Sequence, residues 1–277
     1  MQNKLAIIGV GLEKSGTTSA HNILKNSKKI AAPSKKETFF FNKYFENGTK
    51  FYESLYNYSH SSKFHLDITP SYHRHSNIAY KRINDFFKRK IIVLFLRDPI
   101  HRAFSHYWHD IYFHKTSEFP NFSIKDFDSF KGSFNKYFID INNLVSNIMT
   151  SFKKDEILIC YLDDVRTGNF IGMIEKKLGE SLELNFESKN SNKKKVPFFS
   201  ITENKLIIKR ELFPDKVINI NQNYKKIIEG LSSFANLKRN ISLDEYQEIK
   251  YNLYSDIKYP ELGINQEKLF FNSGISI

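Results

Sequence analysis

The 277-residue chain has one cysteine, Cys160. A lone thiol excludes an internal disulfide framework and a cysteine-based zinc cluster. Long apolar runs are missing as well: none approaches the roughly 20 residues that a bilayer-spanning helix needs. Strand-like sequence begins at Lys4, with no basic, apolar and small-residue succession ahead of it. The expectation is a soluble, cytoplasmic protein without a transmembrane segment. No Pro/Gly/Ser-rich linker, internal repeat or sustained heptad divides the chain, so a single domain spanning 1–277 is expected. Acidic residues are in deficit, 30 against 42 Lys and Arg, giving a formal charge of +12. That balance fits an anionic partner, whether nucleotide, charged glycan, nucleic acid or membrane surface. It equally fits a chain rich in Lys, Asn, Ile and Phe because of biased genomic base composition. No stripe of basic residues interleaved with aromatics marks a nucleic-acid face.

What is present is an alternation of apolar runs and helical patterns. LAIIGV (5–10) reads as a buried parallel strand, followed by a Gly-rich turn and a helix from Thr17. Further strands are expected at 29–32, closed by Pro33, at 64–68, at 91–97 and at 157–162. Helices are expected at 77–88, from Asp98-Pro99 with Asp98 as cap, and at 163–178. The fold class is therefore α/β, a central parallel sheet flanked by helices. Ligands of such sheets bind beyond the carboxyl ends of the strands, where Lys14–Thr18 and Arg97 both fall. Residues after about 185 read as mostly helical and irregular.

The loop GLEKSGTTS carries the first chemistry. Gly11 and Gly16 have the spacing of a nucleoside-triphosphate loop, but the position of its lysine is Thr17, and the lysine stands earlier, at Lys14. A strand, a Gly turn and a helix N-terminus direct backbone N–H groups at one spot and attract an anion. Ser15, Thr17 and Thr18 add hydroxyls and Lys14 a charge. The aspartate that would help hold Mg²⁺ is not evident, since Asp98 reads as a helix cap. A phosphate-like group handled without a metal fits. So, on the loop alone, does a polar tight turn. At a second strand end, Arg97 can make a bidentate pair with a phosphate, with Ser105 two turns along and Arg102 between them.

Together these motifs resemble the sulfotransferases that use 3′-phosphoadenylyl sulfate (PAPS). KSGTTS looks like their 5′-phosphosulfate loop, and RDPIHRAFSHY like their 3′-phosphate motif. KKETFFFNKYF (35–45) is similar to the segment that carries the catalytic glutamate in glycan-modifying members, and DITPSYH (67–73) resembles their T-P-x-Y segment. The resemblance covers roughly residues 5–180 and implies the P-loop-like sulfotransferase architecture. It implies sulfuryl transfer from PAPS to a hydroxyl or amine, leaving 3′,5′-bisphosphorylated adenosine (PAP), with no metal required.

The resemblance also implies roles. Lys14, with the backbone of Ser15, Gly16, Thr17 and Thr18, would stabilise the leaving phosphate oxygen. Arg97 and Ser105 would grip the 3′-phosphate. Glu37 would be the base, although it also reads as a surface carboxylate paired with Lys35 or Lys36, with His109 and His106 as backups and Asp67 a weaker candidate. Lys193, Lys194 and Lys195 would form a clamp over the 3′-phosphate, although three successive lysines also read as a solvated loop. Several glycan sulfotransferases carry a lysine just before T-P-x-Y. Here that residue is Ile68, so a second cation would come from Lys35, Lys36 or the Lys193–Lys195 run. The aromatic run at 39–45 would line a sugar cleft in part, with alternation setting Phe39 and Phe41 opposite Phe40. The implied acceptor is a carbohydrate, such as a bacterial surface polymer. Two rival readings are a Mg²⁺-dependent P-loop kinase and a non-catalytic nucleotide or polyanion binder.

Overall fold

In the computed structural model the described residues are 4–99 and 139–186, with Arg102, Ala103, Ser105, His106, His109 and Tyr137, and the backbone of 198–202, 205–209 and 216–219. Contacts group the chain into two compact units. One comprises Met1–Arg102, Ile139–Lys189 and Asp256–Ile277, the other Ala103–Phe138 and Asn190–Ser255. Among the described residues no helix is long and apolar enough to cross a membrane.

The first unit is built on a five-stranded sheet. Its strands are β1 (Leu5–Gly11), β2 (Ile30–Ala31), β3 (Phe64–Ile68), β4 (Lys90–Leu96) and β5 (Ile157–Tyr161). They run in the order β2-β3-β1-β4-β5, and every pairing is parallel. The apolar, β-branched runs explain this. Each strand is buried along most or all of its length, as a sheet covered on both faces requires. Ile7, Leu66, Ile68, Ile91, Val93 and Phe95 form one core with Ala20 and Leu24 of helix α1 (Thr17–Leu24). The alternate residues Ala6, Ile8, Val10, Ile92, Leu94 and Leu96 are buried too. Each such side chain contributes about 1.5–3 kcal/mol when fully removed from water.

The order matters for function. Strand β1 lies between β3 and β4: the chain passes from β1 to the edge strand β2, returns through β3, and then crosses β1 to β4 and β5, reversing its direction of winding. In an open parallel sheet that reversal leaves a crevice at the carboxyl ends, where ligands bind. Five segments leave the sheet at that edge: Leu12–Gly16 from β1, residues 32–39 from β2, Thr69–His75 from β3, Arg97–Asp98 from β4 and Leu162 from β5.

Several sequence expectations are corrected. The helix expected at 163–178 is two helices, Leu162–Thr167 and Asn169–Leu178, broken at Gly168. Gly168 has φ +84, and a Cβ there would meet Phe186 at 2.5 Å, so only glycine serves. The aromatic run does not alternate, because Phe40–Tyr44 winds into a wide helical turn. Phe40 and Phe41 are both buried; Phe40 stacks on Tyr52, Phe41 meets Tyr52 edge-on, and both meet Phe86 edge-on. Beyond 185 the described backbone is an antiparallel sheet of Phe198–Thr202, Lys205–Lys209 and Lys216–Asn219, not helix. Three further α-helices belong to the described part of the first unit, of which α2 (Gly48–Ser54) and α3 (Ser76–Phe86) lie before β4. A third, α4 (Ile141–Ser151), opens on Asp140, whose side chain accepts the Asn143 N–H at 3.0 Å.

Candidate active site

The loop after β1 is shaped by two left-handed residues, Lys14 (φ 67) and Gly16 (φ 90). Left-handed turns set among right-handed ones make successive N–H groups converge into an anion-binding concavity. Lysine tolerates this conformation at a cost of roughly 1–2 kcal/mol, the kind of strain found at functional loops. Gly16 is required twice over, by its φ and because a Cβ would meet Leu162 Cδ1 at 2.8 Å. Gly16 is also the residue before α1, and no side chain caps that helix. Its first N–H groups and dipole therefore point at whatever the loop holds. Ser15 Oγ is fully buried and has no hydrogen-bond partner among the described residues. A buried hydroxyl without a partner costs about 1–3 kcal/mol, which an anion would recover. The donor set and this orphaned hydroxyl fit a phosphosulfate.

The loop is tied to its neighbours. Glu13 pairs with Arg74 at 2.9 Å and approaches His73 at 3.6 Å, anchoring the loop to the turn after β3. Burial lowers the His73 pKa, so its imidazole is kept neutral against the partial opposition of Glu13. Arg97 Nη1 donates to the Lys14 carbonyl at 3.1 Å, so the guanidinium after β4 touches the loop after β1. Burial, and next the Arg166 guanidinium, bring the Arg97 pKa down to about 10. It remains charged at neutral pH. Asp98 is followed by helical Pro99, and the Arg102 N–H donates to the Asp98 carbonyl at 2.8 Å, as the expected helix start requires.

Glu37 lies close to the loop by way of Lys36. Lys36 Nζ sits 2.9 Å from Glu37 Oε1 and 3.3 Å from Thr17 Oγ1. One ammonium therefore joins the expected base to a loop hydroxyl. The sequence left Lys36 among several options, of which Lys193–Lys195 lie outside the described residues; Lys36 is placed against a loop hydroxyl. Ile68, where a lysine stands in several glycan sulfotransferases, is fully buried beneath Gly9, whose Cβ would meet it at 2.9 Å. A charge there would be buried in the apolar core.

Asp67 is not placed as a base. It is fully buried and accepts hydrogen bonds from Thr38, Tyr52, Thr69 and Tyr72. Burial raises its pKa against the pull of those hydroxyls. Ser105, His106 and His109 belong to the second unit, where the His106 ring meets Tyr137 at 5.4 Å. The expected clamp Lys193–Lys195 lies outside the described residues.

No protein-family model matches the chain. A stretch of 116 residues is 34% identical to the membrane-associated sulfotransferase kil1 of Dictyostelium discoideum. That match covers 41% of this chain and 24% of the relative, so the chain spans about a quarter of the relative's length. Among solved structures, a sulfotransferase from Alicyclobacillus acidocaldarius superposes with a TM-score of 0.52 at 17% identity, over 68% of this chain and 85% of the other. At that identity the likeness is one of fold, and it agrees with the parallel sheet and flanking helices described above. A segment of the chain is thus similar to part of a sulfotransferase, and its fold is similar to that of a solved sulfotransferase structure.

Proposed function

We propose that the protein is a PAPS-dependent sulfotransferase acting on a hydroxyl or amine of a carbohydrate. The observation that carries the reading is the Arg97–Lys14 contact, which joins two anion-seeking motifs at one sheet edge. The kil1 relative is named a sulfotransferase, which is consistent with this reading.

Each residue then has a task. The N–H groups of residues 15–18 and the Ser15 and Thr17 hydroxyls hold the phosphosulfate. Arg97 holds the 3′-phosphate and sets the register of the donor. Glu37 removes the acceptor proton as the acceptor oxygen or nitrogen bonds to sulfur. Lys14 stabilises the bridging oxygen, which leaves with the electron pair of the broken S–O bond. Lys36 lies between Thr17 and Glu37, where it can neutralise charge on the sulfonyl group as it passes from donor to acceptor.

The test is Glu37→Gln, with sulfur-labelled PAPS, a panel of desulfated polysaccharides and chelator present. The enzyme should transfer label without divalent metal. The variant should bind PAP as before and lose roughly 10²–10⁴-fold in turnover. A variant indistinguishable from wild type would support a mere binder, and an absolute need for Mg²⁺ with ATP would support a kinase.

A further inference from the structure

A catalytic carboxylate must be held within a fraction of an ångström of its working position. The backbone at residue 38, directly after Glu37, is held twice. The Thr38 N–H donates to Thr69 Oγ1 at 3.0 Å, and the Thr38 hydroxyl donates to Asp67 Oδ2 at 2.8 Å. Both partners lie at the carboxyl end of β3, beside the crevice.

Asp67 is the hub of a larger network. Thr69 donates to Oδ1 at 2.7 Å, and Tyr52 and Tyr72 donate to Oδ2 at 2.9 Å each. An ionised carboxylate only accepts, so four hydroxyl donors suit it and a protonated one would meet them with its own hydrogen. Counting hydrogens extends the chain. Tyr52 spends its single hydrogen on Asp67, so it accepts from Tyr56 at 3.0 Å and from His65 Nε2 at 3.0 Å. That assigns the Nε2–H tautomer to His65, and leaves Nδ1 to accept from Tyr58 at 3.2 Å. Burial keeps His65 neutral, with its pKa lowered to about 3. These hydroxyls and the imidazole all direct their hydrogens toward Asp67.

A polar hub in an otherwise aromatic core is an expensive choice, since apolar residues of similar volume often serve stability equally well. A network with its members satisfied does something apolar packing does not: it fixes one arrangement. Three segments meet on this carboxylate: residue 38 beside Glu37, the turn Thr69–Tyr72, and α2 through Tyr52. We propose that Asp67, acting through the Thr38 hydroxyl, positions Glu37 for catalysis. The inference rests on the reading of Glu37 as base.

The experiment is a double-mutant cycle. Thr38→Val keeps shape and removes the hydroxyl, and Thr38→Ser keeps the hydroxyl. Each is made in wild type and in Glu37→Gln, and kcat, acceptor KM and PAP affinity are measured with labelled PAPS and a desulfated polysaccharide. Thr38→Val should lower kcat by about 30-fold, a size typical of misplaced catalytic groups. PAP affinity should stay within about twofold, Thr38→Ser should recover most of kcat, and Thr38→Val should add nothing to Glu37→Gln. Wild-type turnover in Thr38→Val overturns the inference. So does an equal further loss on top of Glu37→Gln, because Thr38 would then act independently of Glu37. Should Thr38→Val not fold, Tyr72→Phe removes another donor to Asp67 and should show a smaller loss with the same non-additivity; independence from Glu37 there also overturns the inference. A wild-type protein that neither binds PAP nor transfers label overturns the sulfotransferase reading first, and this inference with it.

Discussion

Arg97→Met separates a residue that supports the fold from one that waits for a ligand. In the ligand-free protein the guanidinium is largely buried and faces Arg166 and Arg102, with Asp98 and Asp163 in partial opposition. Its pKa falls from the ordinary arginine value to about 10, which corresponds to about 3 kcal/mol of unfavourable free energy for keeping the charge. Its bond to the Lys14 carbonyl, as a charged donor, returns about 1.5–3 kcal/mol. The two nearly cancel, so methionine should leave unfolding free energy within about 1 kcal/mol of wild type. Ligand binding should behave differently. Loss of a charge-assisted pair to the 3′-phosphate costs about 3 kcal/mol, or roughly 100-fold in PAP affinity. Urea unfolding with and without PAP measures both quantities on one sample, and wild type should gain stability with PAP where the variant gains little. A variant destabilised by more than about 3 kcal/mol without ligand would make Arg97 a structural pillar. A variant that binds PAP like wild type would remove it from the donor site.

Two further outcomes are expected. Lys36→Met should lower turnover by about 10²-fold while PAP affinity changes far less, and Lys36→Arg should restore part of the rate; unaltered turnover would take Lys36 out of the reaction. Acid should destabilise the protein through two buried imidazoles, since burial lowers the pKa of His21 to about 4 and of His65 to about 3. Unfolded histidines bind protons near pH 6.5 and these folded ones do not. Their stabilisation is thus complete above about pH 6.5 and is lost as pH falls toward 4, by about 3 kcal/mol for His21 alone. Asp67, with its raised pKa, works in the opposite direction and blunts the fall. Thermal unfolding from pH 7 to 4 should show a flatter curve for His21→Leu, and an equally steep one would contradict the assignment.

The sheet was legible because parallel strands write themselves as short apolar runs, and all five appear within a residue or two of expectation. The loop and its helix start were legible because glycine spacing and hydroxyls have few other uses together. Other features depend on contacts that no local pattern records. The break at Gly168 answers to Phe186 in three dimensions. The Phe40–Tyr44 turn is wound by packing on Tyr52 and Phe86, where alternation alone set Phe39 and Phe41 opposite Phe40. Helix α4 did carry a signal, the Asp140 cap followed by Ile141, Leu144, Val145 and Ile148 at helical spacing. The hairpin after 198 did too, in FFSIT and KLIIK separated by two residues. In the site, Lys36 was one lysine among many until its distances to Thr17 and Glu37 set it apart. Asp67 looked like a spare base because a sequence cannot show four hydroxyls converging on one carboxylate.

Calorimetric titration in chelator with PAP, and in parallel with adenosine 5′-monophosphate, asks whether one edge of the sheet holds both charged ends of a single nucleotide. PAP should bind about 100-fold more tightly, because only it reaches Arg97 as well as the loop. Equal affinities, or stronger binding of ATP once Mg²⁺ is added, would contradict that arrangement.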